Sequence, residues 1–308
     1  MRIAFLGTPE FALPSLRMLI GGGHELAVFT QPDRPVGRHK TPEAPPVKLM
    51  AEQYGIPVFQ FEKIRRPEGV EALRGFAPDL MVTAAFGQIL SAENLAVPKY
   101  GCINVHGSLL PKYRGAAPIQ WSVINGETVT GITTMLTDVG MDTGDILMQE
   151  ETVIGPDETA GELYERLSLI GAELLKKTIA SLEAGTLVRT PQDEASATKC
   201  PMLKKEHGKI DLSKNALDVH NLVRGVNPWP GAYALLDGEP LKIWKTALTD
   251  RDSSCSVPGT LSGSTKEGLF LQCADRPVEI VELQAPGGRR LDAVTFLRGR
   301  NIAGSVLT

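Results

Sequence analysis

Residues 1–30 read MRIAFLGTPEFALPSLRMLIGGGHELAVFT and contain two short apolar runs on either side of an amphipathic stretch. The runs Ile3–Leu6 and Glu25–Phe29 have the length and composition of buried strands. Between them, apolar residues recur at helical spacing from Phe11 to Ile20, and three glycines follow as a helix stop. A strand, a helix and a second strand in this order predict two parallel strands joined by a crossover helix.

The alternation of strand and helix continues to residue 185. Further candidate strands are Val58–Phe59, Leu80–Ala84 and Cys102–His106. Residues 159–184 predict one long helix, because leucines and an isoleucine recur on one face until Gly185. These patterns predict the α/β fold class, with a Rossmann-like parallel sheet in the N-terminal domain.

The sequence pattern changes after this helix. Residues 190–206 show no steady period and contain proline, which predicts an extended linker. Beyond the linker, the predicted elements are a helix at Asn215–Arg224, a hairpin formed by Ala232–Leu236 and Leu241–Thr246, and strands at Leu269–Cys273 and Val278–Leu283. Short strands with glycine and proline turns predict a small OB-like β-barrel. The predicted domains are therefore 1–189, Rossmann-like, and 207–308, OB-like, joined by the linker at 190–206.

The composition is that of an ordinary globular protein, with 42% hydrophobic and 22% charged residues. No apolar run approaches the roughly 18 residues of a membrane span, and Gly7 and Pro9 interrupt the first run too early for a signal peptide. The four cysteines are far apart and do not group with the five histidines, so we expect neither a disulfide scaffold nor a metal site. We expect a cytoplasmic monomer.

The net charge of −4 is unevenly distributed along the chain. Residues 1–203 hold 18 Lys and Arg against 24 Asp and Glu, a balance of −6, whereas residues 204–308 hold 14 against 12, a balance of +2. The slightly basic second part is compatible with a polyanionic partner. Its excess charge is too small to establish nucleic-acid binding on its own.

The stretch GCINVHGSLLP at residues 101–111 is the densest cluster of chemically useful side chains. Asn104 and His106 lie two residues apart in a predicted strand, so their side chains point to the same face. They stand near the carboxyl end of that strand, where open α/β sheets bind their ligands. Both side chains are therefore candidates for contact with one substrate.

A second cluster, TDVGMDTGD at residues 137–145, combines three acids with two glycines between apolar runs. Asp142 lies 36 residues after His106, so only the tertiary fold can bring the two together. An Asp–His contact would orient the imidazole ring and raise its basicity. We interpret Asp138 and Asp145 as turn caps or solvent-facing residues.

Asn104, His106 and Asp142 together match the needs of acyl transfer to an amine. That reaction requires a neutral nucleophile, donors for the developing oxyanion, and a route for the proton that the nitrogen loses. An amide, an imidazole and a carboxylate supply these groups without a covalent enzyme intermediate.

The motifs around these residues resemble the 10-formyltetrahydrofolate-dependent formyltransferases. The resemblance is carried by Asn104–Pro111 (NVHGSLLP), Gly115–Ile119 (GAAPI) and Met141–Gly144 (MDTG), in which the family's Asn, His and Asp match residue by residue. Three further motifs resemble the family members that act on initiator methionyl-tRNA: Phe5–Ala12 (FLGTPEFA), Gln31–Arg38 (QPDRPVGR) and Asn227–Gly231 (NPWPG). The resemblance covers most of the chain.

The resemblance implies a catalytic set and two ligands. Asn104, His106 and Asp142 would be catalytic, and the formyl donor 10-formyltetrahydrofolate would bind beside two segments. The implied folate-binding residues are Phe86, Gly87, Gln88, Ile89, Leu90, Ser108, Leu109, Leu110 and Pro111. The amine substrate would be the methionine of initiator methionyl-tRNA. The loop 31–48 would contact its acceptor stem, through Arg34, Arg38 and Lys40.

Several other interpretations compete with this one. Gly7-Thr8-Pro9 after the first strand is a poor dinucleotide fingerprint because no GxGxxG follows, which disfavours a nicotinamide or flavin oxidoreductase. A formyltransferase acting on an amino-sugar nucleotide would share the Asn–His–Asp set, but the long loop at 31–48 favours tRNA. A non-catalytic tRNA- or folate-binding module is disfavoured by the intact set.

Overall fold

The computed structural model describes residues 1–36, 41–252 and 257–308. The chain forms two compact units that interleave along the sequence. The first comprises Met1–Gly115, Thr130–Thr152 and Tyr164–Lys199, and the second comprises Ala116–Val129, Val153–Leu163 and Cys200–Thr308. The sequence-based prediction instead gives each domain one continuous range, 1–189 and 207–308. These boundaries stay a prediction.

Strands and helices alternate through the first part of the chain as the sequence predicts. Up to residue 183 they are β1 (Arg2–Gly7), α1 (Leu13–Gly21), β2 (Glu25–Thr30), β3 (Arg34–Val36), β4 (Thr41–Glu43), α2 (Pro46–Gln53), β5 (Val58–Gln60), α3 (Pro67–Phe76), β6 (Leu80–Ala84), α4 (Ala92–Leu95), β7 (Cys102–His106), β8 (Arg114–Gly115), α5 (Pro118–Ile124), β9 (Val129–Leu136), β10 (Ile146–Val153) and α6 (Ala160–Glu183). A 3-10 turn at Glu10–Ala12 precedes α1, so the helix predicted from residue 11 begins two residues later.

The elements after residue 183 are shorter. They are β11 (Lys199–Cys200), α7 (Ala216–Gly225), β12 (Ala232–Leu236), β13 (Glu239–Leu248), β14 (Leu261–Ser264), β15 (Gly268–Gln272), β16 (Pro277–Gln284), β17 (Leu291–Asp292) and α8 (Ala293–Gly299), with 3-10 turns at Glu194–Ser196 and Lys205–Gly208. In the described part of the chain, no helix is both long and apolar enough to cross a membrane.

The first unit is built on a seven-stranded sheet in the order β10-β9-β7-β6-β1-β2-β5. The pairs β1–β2, β1–β6, β2–β5 and β6–β7 are parallel, and β9 runs antiparallel to β7. The interior strand β1 is fully buried from Ile3 to Leu6, which explains its continuous apolar run. The predicted Rossmann-like parallel sheet is therefore confirmed, with an antiparallel extension at one side.

The second unit contains an antiparallel sheet in the order β12-β13-β16-β15-β14, with β17 paired to β16. Asp237-Gly238 forms the turn of the β12–β13 hairpin, and both residues have a positive φ, as a tight hairpin turn requires. Val219 and Val223 of α7 lie in one buried cluster with Ile243 and Ile280 of the sheet. The predicted C-terminal β domain is confirmed as an antiparallel sheet covered by a helix, and the closed OB-like barrel stays an interpretation.

The segment predicted as a linker makes specific contacts. The backbone N–H of Thr198 donates to Pro111, that of Arg114 donates to Thr198, and Thr190 exchanges two hydrogen bonds with Ile146. The extended linker at 190–206 stays a prediction, and hydrogen bonds of this kind between distant segments leave no period in the sequence. Residues 190–199 belong to the first compact unit.

Candidate active site

Strands β6 and β7 end at the same edge of the parallel sheet, and Asn104 and His106 share one face of β7. The parallel register places Thr83 of β6 beside Asn104. The Thr83 hydroxyl donates a hydrogen bond of 2.9 Å to Asn104 Oδ1. Because the amide oxygen is held by this donor, the NH2 of Asn104 points the other way and is the group it can offer to a ligand.

The imidazole of His106 is buried, and its two nitrogens face different acceptors. Nε2 lies 2.9 Å from the carbonyl oxygen of Tyr113. Since a carbonyl only accepts, Nε2 carries the hydrogen of this contact, and Nδ1 is the nitrogen that can gain or release a proton. Nδ1 lies 3.8 Å from Asp142 Oδ2, an ion-pair distance that is longer than a direct hydrogen bond.

Asp142 reaches this position from the loop between β9 and β10. Its Oδ2 accepts a hydrogen bond of 2.8 Å from the backbone N–H of Gly115. The residue has a φ of +54°, a left-handed conformation that is uncommon for aspartate and needs support from its surroundings. Two residues later, the backbone of Gly144 packs against that of Leu136. A Cβ at this position would collide with the carbonyl oxygen of Leu136, so the close approach requires glycine.

Asp138 in the same loop has the structural role that the sequence suggested. Its Oδ1 accepts from the backbone N–H of Gly140 at 3.0 Å and from the Thr143 hydroxyl at 2.7 Å. The carboxylate therefore caps the turn that leads into Asp142.

The turn after β7 is fixed by a threonine on the neighbouring strand β9. The Thr133 hydroxyl donates to the carbonyl of Ser108 at 2.7 Å and accepts from the N–H of Leu110 at 3.0 Å. Gln149 donates to the carbonyl of Leu110 at 2.9 Å. Of the four predicted folate-binding residues in this turn, Ser108 and Leu110 are buried, whereas Leu109 and Pro111 are partly exposed.

The other predicted folate segment, Phe86–Leu90, leaves the same sheet edge after β6. The carbonyl of Phe86 accepts hydrogen bonds from Thr8 at 2.9 Å and from Gln31 at 3.3 Å. The side chain of Gln88 accepts a hydrogen bond from the backbone N–H of Ile64 and donates one to the carbonyl of Phe61. Ile89 is 68% exposed. The two predicted segments therefore flank the strand ends that carry the site, and their contact with folate stays a prediction.

Loop 31–48 is described except for residues 37–40. Within it, β3 and β4 pair in antiparallel orientation, and Arg34 lies opposite Glu43. The Arg34 guanidinium donates to both carboxylate oxygens of Glu62, at 3.1 and 2.7 Å. Of the three residues predicted to bind tRNA, Arg34 is thus ion-paired in this structure, and Arg38 and Lys40 lie outside the described residues.

A buried arginine stands next to the site. The side chain of Arg114 is 3% exposed and donates to both carboxylate oxygens of Glu194, at 2.9 and 2.7 Å. This hydrogen bond lowers the pKa of the Glu194 carboxyl and raises the pKa of the Arg114 guanidinium. Both shifts favour the charged pair at neutral pH.

The Arg114–Glu194 pair predicts a pH dependence of stability. Because the folded-state pKa of Glu194 is depressed, its contribution is present above the unfolded-state value of about 4.3 and is lost as the pH falls through the folded-state value. We therefore expect Glu194→Gln to have a lower Tm than the wild type at about pH 7, with the difference shrinking toward about pH 3.

Calorimetric unfolding across this pH range measures the effect. Glu52→Gln, at an exposed position on α2, is the matched control and should follow the wild-type curve. A Glu194→Gln difference that stayed constant down to about pH 3 would contradict the assignment.

The described residues contain no group of three or more His, Cys, Asp or Glu side chains that could hold a metal ion. Cys102, Cys200 and Cys273 are buried free thiols, and burial raises the pKa of Cys102 and of Cys273 to about 12. Neither of these two thiols is poised as a nucleophile. The side chains of Asn104, His106 and Asp142 are hydrogen-bond donors and acceptors, and the imidazole and the carboxylate can also transfer protons.

Several residues of this environment were not predicted from the sequence, and three of them contact the predicted site segments directly. Thr83 orients Asn104, Thr133 fixes the turn at 108–111, and Gln192 contacts the Asp142 loop. Only Thr83 left a usable signal, because it lies near the end of a predicted strand that is parallel to β7. The other two contacts depend on tertiary structure alone.

Comparison with known proteins identifies the family. Residues 1–179 match the family described as formyl transferase, and residues 202–301 match the formyl transferase C-terminal domain. A methionyl-tRNA formyltransferase of Geotalea uraniireducens is 53% identical over 309 residues, covering 100% of this chain and 98% of that protein. One from Ruminiclostridium cellulolyticum is 52% identical over 304 residues, covering 98% and 97%.

A solved structure shows the same fold at lower identity. The N-formyltransferase of Helicobacter canadensis, in complex with folinic acid and dTDP-3-aminofucose, has a TM-score of 0.68 at 21% identity and covers 90% of this chain and 98% of its own. The family resemblance predicted from the sequence motifs is confirmed by these matches. The chain belongs to the formyl transferase family, and the two relatives that are about 50% identical to it over nearly their whole length are methionyl-tRNA formyltransferases.

Proposed function

We propose that the protein transfers a formyl group from 10-formyltetrahydrofolate to the α-amino group of methionine on initiator methionyl-tRNA. One observation carries the chemical part of this proposal: Asp142 Oδ2 lies 3.8 Å from Nδ1 of a buried His106, on the sheet edge that also presents Asn104. The substrate part is supported by two relatives that are 52% and 53% identical in sequence over nearly the whole chain and are named methionyl-tRNA formyltransferases.

The proposed reaction is a direct attack of the amine on the formyl carbon. A bond forms between the methionine nitrogen and this carbon, and a tetrahedral oxyanion develops. The NH2 of Asn104 and a protonated His106 donate hydrogen bonds to the oxyanion. The bond between the formyl carbon and folate N10 then breaks, releasing tetrahydrofolate and formylated methionyl-tRNA.

Asp142 has two roles in this scheme. Its Oδ2 faces Nδ1 at 3.8 Å and orients the imidazole ring that donates to the oxyanion. It also accepts, through water, the proton that the attacking nitrogen loses, and it returns that proton to N10 of the leaving folate, so that Asp142 is ionised again at the end of the step. A general acid-base group of this kind contributes about 10²- to 10⁴-fold in rate.

The formyl donor is inferred from the site and the family together. Segments 86–90 and 108–111 border the strand ends where open α/β sheets bind ligands. The Helicobacter canadensis relative was solved with folinic acid, a formylated folate. Charged initiator tRNA is used where ribosomes work, so the proposal includes a cytoplasmic location. We also propose that the protein acts as a monomer.

A product assay separates the proposed function from its rivals. The purified protein is incubated with 10-formyltetrahydrofolate and either methionyl-initiator tRNA or an amino-sugar nucleotide, and formylated product is measured by mass spectrometry. Formylation of the tRNA-bound methionine alone supports the proposal. Formylation of the sugar alone would establish the sugar-amine rival, and binding without product from either would indicate a non-catalytic module.

We propose that the loop 31–48 contacts the acceptor stem through Arg34, Arg38 and Lys40. Arg38→Glu is expected to raise the KM for methionyl-tRNA by about tenfold or more, because a phosphate contact is replaced by repulsion, while the KM for folate stays unchanged. Arg17→Glu, on α1, is the control for charge reversal elsewhere. Unchanged use of tRNA by Arg38→Glu would remove the case for the loop.

A further inference from the structure

The side chain of Gln192 joins the loop of Asp142 to Arg114. Its Nε2 donates to the backbone carbonyl oxygens of Asp142, at 2.8 Å, and Gly144, at 2.7 Å. Its Oε1 accepts a hydrogen bond of 2.9 Å from Nε of Arg114. Both hydrogens of one amide group are thus used on the two carbonyls that flank Thr143.

Arg114 fixes the orientation of this amide. A guanidinium group only donates hydrogen bonds, so the amide of Gln192 must turn its oxygen toward Arg114 and its nitrogen toward the loop. Arg114 is itself buried and held by two hydrogen bonds from its guanidinium to Glu194. The donor that faces the Asp142 loop is therefore set in place before any ligand binds.

The Asp142 loop depends on such polar contacts because it has little apolar support. Val139 and Met141 are 76% and 67% exposed, and Asp142 itself has a left-handed φ of +54°. The Asp142 carboxylate is held by the N–H of Gly115, the residue that follows Arg114. Segment 114–115 therefore holds Asp142 at two points. The N–H of Gly115 bonds the carboxylate directly, and Arg114 orients Gln192, which bonds the backbone carbonyl.

We propose that Gln192 is a positioning residue for formyl transfer, which sets the backbone of Asp142 so that its carboxylate faces Nδ1 of His106. The inference rests on the proposed function, because it assigns Gln192 a role through Asp142 in that reaction. The amide of Gln192 is engaged by Asp142, Gly144 and Arg114, so its role is exerted through the Asp142 loop. Replacing Gln192 lowers kcat because it displaces the carboxylate of Asp142. The surfaces proposed to bind folate and tRNA are unchanged, so the KM values are kept.

Two substitutions test this role. Gln192→Met keeps the length of the side chain and removes all three hydrogen bonds. Gln192→Glu keeps the acceptor for Arg114 but turns a carboxylate oxygen toward the carbonyls of Asp142 and Gly144. We expect kcat to fall on the order of 10- to 100-fold in both, with KM for either substrate changed by less than about threefold. Gln53→Met, at an exposed position on α2, should match the wild type.

A double-mutant cycle with Asp142→Asn distinguishes positioning from a general structural effect. If Gln192 acts through the Asp142 carboxylate, adding Gln192→Met to Asp142→Asn should lower kcat by less than about twofold further. An equal loss of kcat in both backgrounds would overturn the proposal. So would wild-type kcat in both single variants, or unfolding of both variants as judged by circular dichroism and Tm.

Activity of the wild-type protein in the same assay distinguishes failure of the proposed function from failure of the proposed role of Gln192. If it forms no formylmethionyl-tRNA, the proposed function fails before any variant is considered. If it forms this product and the cycle is additive, the proposed function stands and the role of Gln192 is refuted.

Discussion

Asp142→Asn is expected to lower kcat for formyl transfer by about 10²- to 10⁴-fold, the range typical of a lost acid-base group. The substitution keeps the shape of the side chain and an oxygen that can accept from the N–H of Gly115. It removes the negative charge 3.8 Å from Nδ1 of His106, so the protonated imidazole loses its partner and the amine loses its proton acceptor. Rapid single-turnover kinetics at saturating folate and tRNA measure the chemical step directly.

A second acid in the same loop provides the control for Asp142. Asp145→Asn makes the same change of charge three residues away, at a residue whose backbone carbonyl accepts from Leu136. We expect its kcat to stay within about threefold of the wild type, because this contact is made by the backbone and is kept in the variant. Wild-type turnover by folded Asp142→Asn would contradict the proposed chemistry.

The parallel core of the first unit was predictable because its strands are buried on both faces. β6 and β7 have the bounds that the apolar runs predict, Leu80–Ala84 and Cys102–His106. The strands β9 and β10 were not predicted. β9 contains three threonines and a glycine, and β10 is exposed at most of its residues after Leu147, so neither shows a clean apolar run.

The candidate site was predictable at the level of its three side chains, and its supporting contacts were not. The spacing of Asn104 and His106 on one strand predicts a shared face from local geometry alone. The support comes from Thr83, which is 21 residues from Asn104, and from Gln192, which is 50 residues from Asp142. Such contacts are set by strand order and loop packing, which no local pattern encodes. They explain how three side chains from separate segments keep one geometry.

Asn104→Ala is expected to lower kcat by about 10²- to 10³-fold, the usual effect of removing one oxyanion donor. The Thr83 hydroxyl holds the oxygen of the Asn104 amide, so the NH2 is preorganised to donate where the negative charge develops. Because this donor acts mainly on the transition state, KM for folate and for tRNA should change little. Steady-state kinetics with each substrate varied in turn measure this split.

Two further variants test whether the loss belongs to the donor itself or to the volume of the side chain. Asn104→Asp keeps the shape and still accepts from Thr83, but it replaces the NH2 donor with a carboxylate oxygen, so its loss should equal or exceed that of Asn104→Ala. Thr83→Val keeps Asn104 and removes only the hydrogen bond that orients it, which predicts a smaller loss, on the order of tenfold. If Asn104→Asp retained most of the activity, the NH2 group would not be the oxyanion donor, and the assignment of Asn104 would fail even with Asp142 and His106 in place.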